Sequence, residues 1–349
     1  MSERGLAPPG AVMTVLGPAP AEAVGATLMH EHLLCDITLP GLRGVPPMPV
    51  TLANRFDALY RPEQHPGNHV LEDEALAARE LVPFREAGGT HLVELTVEGI
   101  APDPAALARI ARASGVAIVA GCGSYIAPYL GEEALMRDEA AHEALLLRAV
   151  TEGIGDTTVR AGIIGEIGCS WPLHPAEARG LRAAARVAAR TGLALSVHPG
   201  RAEAALHQII DIAEAEGLDP SRLVLCHIDR TLFEIGPMLA VARRGAMLEF
   251  DFFGIETTRY WAAEVDLPND GMRLRHIRRL IDAGHAGQVL LSHDICTKAR
   301  LAAFGGHGYA HLLANVVPLM HARGFDAATV ALLLAGTPRR LLARTPSPA

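Results

Sequence analysis

The sequence predicts a (β/α)8 TIM barrel, an α/β fold in which eight parallel strands alternate with helices. Apolar runs of strand length alternate with longer segments of helical periodicity from residue 26 to about residue 294, which is typical of βαβ units. Eight such runs can be counted. The first ends in His-Glu-His, whereas the rival fold, an open doubly wound sheet, normally brings a glycine-rich phosphate loop after an early strand.

The predicted strands share a short apolar core bounded by turn residues. They span residues 26–33, 90–97, 116–122, 161–167, 193–198, 222–227, 246–252 and 288–293. Barrel enzymes place their chemistry at the carboxyl ends of the strands, which all open at one face. Side chains at those ends are therefore expected to meet in one site.

The segments between the strands have recognisable helix ends. Asp103 and Pro104 take the N-cap and first-turn positions of one helix, and Gly115 ends it. Three further helices each precede a glycine, and they span residues 175–191, 201–216 and 272–283. After the last strand, helices are predicted over residues 311–323, 326–334 and 338–342.

Length and composition favour one domain over two. Of the 349 residues, half are hydrophobic and 20% are charged, and no long polar tract or Ser/Gly linker divides them. A single large buried core is therefore the simpler expectation. We expect one domain over residues 1–349, with the barrel over about 26–335 and loose termini.

Net charge and hydropathy indicate which classes of partner molecule the protein is expected to bind. A formal net charge of -8 disfavours a general nucleic-acid surface, which needs clustered Lys and Arg. No stretch approaches the roughly 20 apolar residues of a membrane span, and the first residues do not resemble a signal peptide. We expect a cytoplasmic protein with a small-molecule substrate and without nucleic-acid or membrane partners. Barrels of this kind often form homodimers, and the sequence leaves the oligomeric state open. The five cysteines form no CxxC pair and are expected to be reduced.

Two histidines close the first predicted strand. His30 and His32 are two residues apart, so on a strand they project from one face while Glu31 projects from the other. Two imidazoles on one rigid strand can share a cation. Alone, such a pair is more often a polar surface or core feature.

Four more ionisable residues lie at or near other strand ends. His198 closes the fifth strand, His227 closes the sixth and Asp294 follows the eighth, while Glu166 is embedded in the apolar run of the fourth. Each has a structural alternative: a histidine bonded to a carbonyl group, or Glu166 paired with an arginine. Gathered at one end of a barrel, however, they would carry a desolvation cost with nothing to offset it. Together they predict a metal site.

These motifs give the chain a specific resemblance to a known family. His30-x-His32, Gly-Ile-Ile-Gly-Glu166-Ile-Gly, Cys-His227-Ile-Asp-Arg and Leu-Ser-His-Asp294 resemble the phosphotriesterase-related proteins of the amidohydrolase superfamily. The similarity runs over nearly the whole length and includes the motif Gly-Gly-His-Gly-Tyr at residues 305–309.

The resemblance implies a distorted barrel with two divalent metal ions. On that pattern His30, His32 and Asp294 hold the first ion, His198 and His227 hold the second, and Glu166 bridges them. Zinc is the expected metal, while cobalt, manganese and iron suit the same ligands.

The bridging position separates this chain from phosphotriesterases proper, which use a carboxylated lysine there. The only lysine is Lys298, far from the fourth strand. Glu166 therefore takes the bridging role, as in the glutamate-bridged branch of the related proteins. This departure argues against true phosphotriesterase activity.

The ligand set and the resemblance predict a binuclear metal-dependent hydrolase of lactonase, esterase or amidase type. A metal-bridging hydroxide would attack the carbonyl of a small ester, lactone or amide with an anionic group, and Asp294 would serve as ligand and as acid and base. Three alternatives stay open: a phosphotriesterase, a mononuclear amidohydrolase relative, and a barrel that only binds a ligand.

Substrate contacts are expected in the loops beyond the strands. Arg230, three residues after His227, is the preferred candidate, because a guanidinium matches carboxylate, sulfonate or phosphate bidentately. Lys298, four residues after Asp294, could meet the same anionic group or be an ordinary surface lysine. The remaining candidates are Tyr125, Trp171, Arg259, Tyr260 and His307.

Overall fold

Eight parallel strands wind in sequence into a barrel in the computed structural model, which describes residues 5–346. Each strand is hydrogen-bonded to the next along the chain. The strands are β1 Ala26–Glu31, β2 Gly89–Glu94, β3 Ala117–Cys122, β4 Ile163–Gly168, β5 Leu195–His198, β6 Leu223–Leu225, β7 Met247–Phe250 and β8 Val289–Leu291. The predicted (β/α)8 barrel is confirmed.

Strands β1 and β8 meet through side-chain contacts rather than through a regular ladder. The Ser292 hydroxyl lies 2.7 Å from the carbonyl oxygen of His30 and accepts from the His30 N–H at 2.9 Å. The backbone N–H of Asp294 donates to the same carbonyl at 3.1 Å. On the other face of β1, Glu31 accepts from the His293 ring at 2.8 Å. This closure holds Asp294 beside His30.

Helices surround the barrel and follow its last strand. The predicted helix after Asp103 is present, since Asp103 accepts from the N–H of Ala106 and Gly115 ends the helix with a φ of 73°. In the described chain the α-helices are α1 Arg55–Tyr60, α2 Glu74–Glu86, α3 Pro104–Ser114, α4 Glu132–Met136, α5 Glu139–Thr151, α6 Pro175–Thr191, α7 Glu203–Ala215, α8 Ile235–Arg243, α9 Asp270–Asp282, α10 Val317–Ala322, α11 Ala327–Ala331 and α12 Thr337–Leu342. Two π-helical turns, Leu312–Val316 and Leu332–Gly336, lead into α10 and α12.

Several strands end earlier than the sequence predicts. Strand β6 ends at Leu225 and β8 at Leu291, two residues short of the expected ends in each case. The chain leaves the ladder at His227 and Asp294, whose φ angles are 55° and 51°. This left-handed conformation is uncommon for residues other than glycine and often marks functional sites. It places both side chains among those of the neighbouring strand ends.

Buried apolar side chains from seven of the strands form a core cluster inside the barrel. Segments near both ends of the described chain pack against it. Val12 of an N-terminal hairpin (Ala11–Thr14 with Gly17–Pro20) and Leu341 of α12 belong to this cluster. The N–H of Gly10 donates to the carbonyl of Arg344. The termini expected to be loose are thus packed where the structure describes them, and residues 1–4 and 347–349 lie outside the described residues.

Membrane insertion finds no support in the helices. Among residues 5–346, none of them combines the length and the apolar character needed to cross a lipid bilayer.

Asp270 joins the loop after β7 to the helices that follow β8. One carboxylate oxygen accepts from the N–H of Gly254 and from Arg273, both at 2.9 Å, and the other lies 2.7 Å from the His311 ring. Burial acts to raise the pKa of Asp270, but these hydrogen bonds and the positive charges lower it to about 2. The ionised carboxylate therefore stabilises the folded chain.

We expect Asp270→Asn to lower the free energy of unfolding at pH 7 by about 2 kcal/mol. An aspartate whose folded pKa lies below its unfolded value of 3.8 contributes stability above the unfolded pKa and loses that contribution as pH falls towards 2. Urea unfolding of both proteins at neutral pH and near pH 3 checks this. The difference between them should shrink at the lower pH, and a constant difference would argue against a charge-based contribution.

Candidate metal centre

The six predicted ligands come together at the carboxyl ends of five strands. All six are buried, with side chains from β1, β4, β5 and the residues that follow β1, β6 and β8. They are His30, His32, Glu166, His198, His227 and Asp294.

Glu166 lies between two pairs of histidines. Its Oε2 is 3.7 Å from Nε2 of His30, and its Oε1 is 3.7 Å from Nε2 of His32. Oε2 is also 3.1 Å from Nδ1 of His198 and 3.9 Å from Nε2 of His227. Within each group of three residues the donor atoms lie within 4.8 Å of one another. Glu166 belongs to both groups, which is the position of a bridging ligand.

Asp294 adds a second carboxylate to the group formed by His30 and His32. Its Oδ1 lies 3.3 Å from Nε2 of His32 and 3.8 Å from Nε2 of His30. The residue is 8% exposed, against 1% for Glu166. Asp294 is therefore the carboxylate of the cluster that solvent and substrate reach more easily.

The donor set fits divalent metal ions. Nε2 of His30 has no hydrogen-bond partner among the described residues, although the ring is fully buried, whereas Nδ1 lies 3.3 Å from Asp251 and 3.4 Å from Glu249. In the described chain, imidazoles alone lie within ion-pair distance of Glu166 and Asp294, and no arginine or lysine does. Imidazole and carboxylate donors suit zinc and the neighbouring transition metals. A cation here would give Nε2 of His30 the partner that it lacks.

Residues outside the six ligands determine which ring nitrogens of His227 and His32 face the cluster. Asp251 accepts from the backbone N–H and from Nδ1 of His227, both at 2.9 Å. Nδ1 of His32 lies 3.0 Å from the Thr96 hydroxyl, which itself donates to Glu94 at 2.5 Å. Both rings thus carry their proton on Nδ1 and direct the lone pair of Nε2 at the cluster, as metal-binding histidines with carboxylate partners do.

We expect Asp251→Asn to weaken metal binding by about 10- to 100-fold. An asparagine cannot accept both hydrogen bonds from His227, so it favours the tautomer with the proton on Nε2, which removes the lone pair that faces the cluster. Competition for metal against a chromophoric chelator measures the effect. Asp138→Asn, which changes an N-cap at the start of α5, is the control, and wild-type affinity in Asp251→Asn would refute the assignment.

Burial and nearby charges shift the pKa values of the four histidines in different directions. Burial acts to lower the pKa of His30 and His32, but Cys226 and neighbouring carboxylates raise that of His30, and carboxylates raise that of His32, above the ordinary value. Burial, together with nearby positive charge, lowers the pKa of His198 and His227 well below it. Both ring systems of the second group are thus neutral at physiological pH.

Four of the predicted substrate contacts lie near the cluster. The ring of Tyr125 packs edge-on against His198, with centroids 5.1 Å apart. Trp171 and His198 both line a cavity of about 240 Å³. Arg230 lies 3.1 Å from Nε2 of His198. Tyr260 packs against Phe252, whose own ring contacts His227.

The other three candidates make contacts with residues outside the six predicted ligands. Arg259 pairs with Glu63 at 2.7 Å and so ties two loops together. Lys298 lines a separate cavity against α2. His307 packs against the His293 ring, with centroids 5.4 Å apart.

Sequence analysis missed two residues of the site. Asp251 is a carboxylate within the apolar run of β7 and the residues after it, the same signal that identified Glu166. Arg201, which lines the cavity beside His198, was assigned to the start of a helix that in fact begins at Glu203.

Known proteins resemble the chain over nearly all of its length. The model of the Phosphotriesterase family matches residues 10–342. The N-acetyltaurine hydrolases of Salmo salar and Homo sapiens are each 37% identical to it, over 341 and 342 residues, and each alignment covers 95% of this chain and 98% of the relative.

Solved structures agree with this assignment. A resiniferatoxin-binding protein from Rhodobacter sphaeroides has a TM-score of 0.92 and 35% identity, with 98% of each chain covered. The phosphotriesterase homology protein from Escherichia coli, complexed with phosphate in its active site, has a TM-score of 0.77 and 25% identity, with 92% of this chain and 99% of that chain covered. The resemblance seen in the motifs is confirmed, and the chain belongs to the phosphotriesterase family.

Proposed function

We propose that the protein is a metal-dependent hydrolase that cleaves the amide bond of a small N-acyl amine with an anionic group, N-acetyltaurine being the first substrate to test. The observation that carries the proposal is the meeting of four imidazoles and two carboxylates at the barrel mouth, with Glu166 shared between two groups. Relatives named N-acetyltaurine hydrolase, which align with 95% of the chain, support the choice of an anionic amide.

The residues that would hold the metal ions follow from the two groups. His30, His32 and Asp294 would hold one ion, His198 and His227 the other, and Glu166 both. When bound, such ions lower the pKa of water and polarise a carbonyl group. Zinc is the metal that these ligands suit first, and cobalt, manganese and iron are alternatives.

Asp294 is the residue that moves the proton. Burial acts to raise its pKa, but the neighbouring imidazoles of His32 and His30 hold it below the ordinary value, so the carboxylate is ionised at neutral pH. Its Oδ1 can accept a proton from the attacking water and then deliver it to the amide nitrogen, which departs as an amine.

Tyr125 is placed to bind the substrate carbonyl. Burial, with the nearby negative charges of Glu166 and Asp294, raises the pKa of the Tyr125 hydroxyl well above its ordinary value. The hydroxyl therefore keeps its proton at physiological pH and remains a hydrogen-bond donor. A donor next to the cluster can stabilise the oxygen on which negative charge develops during hydrolysis.

A substrate panel combined with metal analysis tests the proposal. Purified protein is assayed with N-acetyltaurine, a γ-lactone, a carboxylate ester and an organophosphate triester, and its metal content is measured. We expect the highest kcat/KM for the amide and two metal ions per chain. Preference for the triester would favour the phosphotriesterase alternative, and full activity with one ion or fewer would favour a mononuclear enzyme. Metal-loaded protein that cleaves none of the four would refute the proposal.

A further inference from the structure

The cavity beside His198 is flanked by two arginines that lack carboxylate partners. It has a volume of about 240 Å³ and lies between the loops that follow β3, β4, β5 and β7. Arg201 forms part of its wall, as do His198 and Pro199. Arg230 lies directly behind these last two, with its NH2 nitrogen 3.1 Å from Nε2 of His198 and 3.0 Å from the Pro199 carbonyl.

Arg230 is buried without an acidic partner among the described residues. It is 2% exposed, yet in the described chain no carboxylate lies within ion-pair distance of it. Arg273, equally buried, pairs with two carboxylates at 2.7 and 2.9 Å. Arg222, at the opposite end of the barrel, donates to three backbone carbonyls. An isolated buried guanidinium is costly unless an anion lies beside it.

The contact between Arg230 and His198 also conflicts with the role of His198 as a ligand. His198 turns Nδ1 towards Glu166 and His227, at 3.1 and 2.9 Å. If the lone pair of Nδ1 serves a metal ion, the neutral ring carries its proton on Nε2. That nitrogen then cannot accept from Arg230, because two donors would face each other. Arg230 then keeps the Thr231 hydroxyl and the Pro199 carbonyl as acceptors but lacks a third, which an anion that enters the adjoining cavity can supply.

Arg201 adds a second positive charge on the wall of the same cavity. Its Nε donates to the Tyr260 hydroxyl at 3.1 Å, and its guanidinium carbon lies 5.4 Å from the centre of the Tyr260 ring. In the described chain no carboxylate pairs with it either. The two arginines therefore bring positive charge to one side of the cavity.

We propose that this cavity is the subsite for the anionic substituent of the substrate, a sulfonate or carboxylate, with Arg230 as its buried anchor and Arg201 at its rim. The proposal rests on the proposed function for the position of the scissile amide between Glu166 and Asp294. In N-acetyltaurine two methylene groups separate the amide nitrogen from the sulfonate, so the two ends of the molecule reach different residues. A planar guanidinium fork suits an oxyanion with more than one free oxygen.

Binding of taurine, the expected anionic product, tests the subsite without catalysis. Calorimetry is performed with the metal-loaded wild type, Arg230→Met, Arg230→Lys, Arg201→Met and the control Arg109→Met. Arg109 is an exposed residue of α3 that pairs with Glu74. We expect about 10- to 100-fold weaker binding in Arg230→Met, as for the loss of a charged hydrogen-bond pair, a smaller loss in Arg201→Met and none in the control.

Kinetics with a neutral analogue separate substrate recognition from a general defect. The ratio of kcat/KM for N-acetyltaurine to that for N-propylacetamide, which lacks the sulfonate, should fall in Arg230→Met by the same factor as taurine binding. If Arg230 has only a structural role, Arg230→Met should contain less metal, and kcat/KM should fall equally for both substrates. That result would overturn the proposal. Arg230→Lys keeps the positive charge but loses the planar guanidinium. If Arg230→Met does not fold, unchanged taurine affinity in both Arg230→Lys and Arg201→Met would also overturn the proposal.

The same experiments keep the two proposals apart. A wild type that binds taurine through Arg230 but cleaves neither amide would refute the proposed function and leave the anion subsite in place. A wild type that cleaves N-acetyltaurine, with arginine variants that keep the substrate ratio and the taurine affinity, would refute the subsite alone.

Discussion

Glu166→Gln is expected to produce a folded protein that retains no metal ions and has no measurable hydrolase activity. Glu166 is the residue shared by both groups of candidate ligands, so its replacement affects both positions at once. A neutral amide offers one weak oxygen donor in place of an ionised carboxylate with two. It also leaves the positive charges of the cluster with one negative partner fewer, which further disfavours a cation.

Metal content after gel filtration measures this effect directly. Glu98→Gln is the matched control, because Glu98 lies beyond the end of β2 and pairs with Arg137 rather than with the cluster. A second measurement uses linkage: a ligand that binds only the folded state stabilises it, by about 2.7 kcal/mol at 100 times its Kd. A chelator should therefore lower the Tm of the wild type and leave that of Glu166→Gln unchanged. A full complement of metal in the variant would disprove the bridging assignment.

Asp294→Asn is expected to reduce kcat by about 100- to 10,000-fold, the usual contribution of a general acid and base. Asparagine cannot take up the proton of the attacking water or deliver it to the departing nitrogen. The side chain remains of similar size, and the backbone N–H of residue 294 still donates to the His30 carbonyl, so the closure between β1 and β8 should persist.

The pH profile distinguishes proton transfer from simple loss of a ligand. Because the folded pKa of Asp294 lies below its ordinary value, the wild type should lose activity only when acid protonates this carboxylate. Asp294→Asn should lack that acidic limb. Metal content is measured in parallel, because a variant that has lost its metal reports on binding rather than on proton transfer. Near-normal turnover with both metal ions in place would rule out the role of Asp294.

Local pattern was enough to determine the barrel and the residue types at its mouth. Strand β4 could be recognised from an apolar run interrupted by Glu166, and the spacing of His30 and His32 places both on one face of β1. These inferences succeed because strand alternation depends on neighbouring residues alone, and because parallel strands in a barrel bring their carboxyl ends to one face.

Tertiary structure decided which side chains beyond the strands reach that site. The sequence places Lys298 four residues after Asp294 and Arg201 three after His198; of these two, the folded chain brings Arg201 alone to the cavity beside His198. Similarly, Asp251 orients His227 from a different strand end. Loop paths depend on contacts between segments far apart in the chain, such as that of Arg259 with Glu63. The residues next to a loop in the sequence therefore do not predict those contacts.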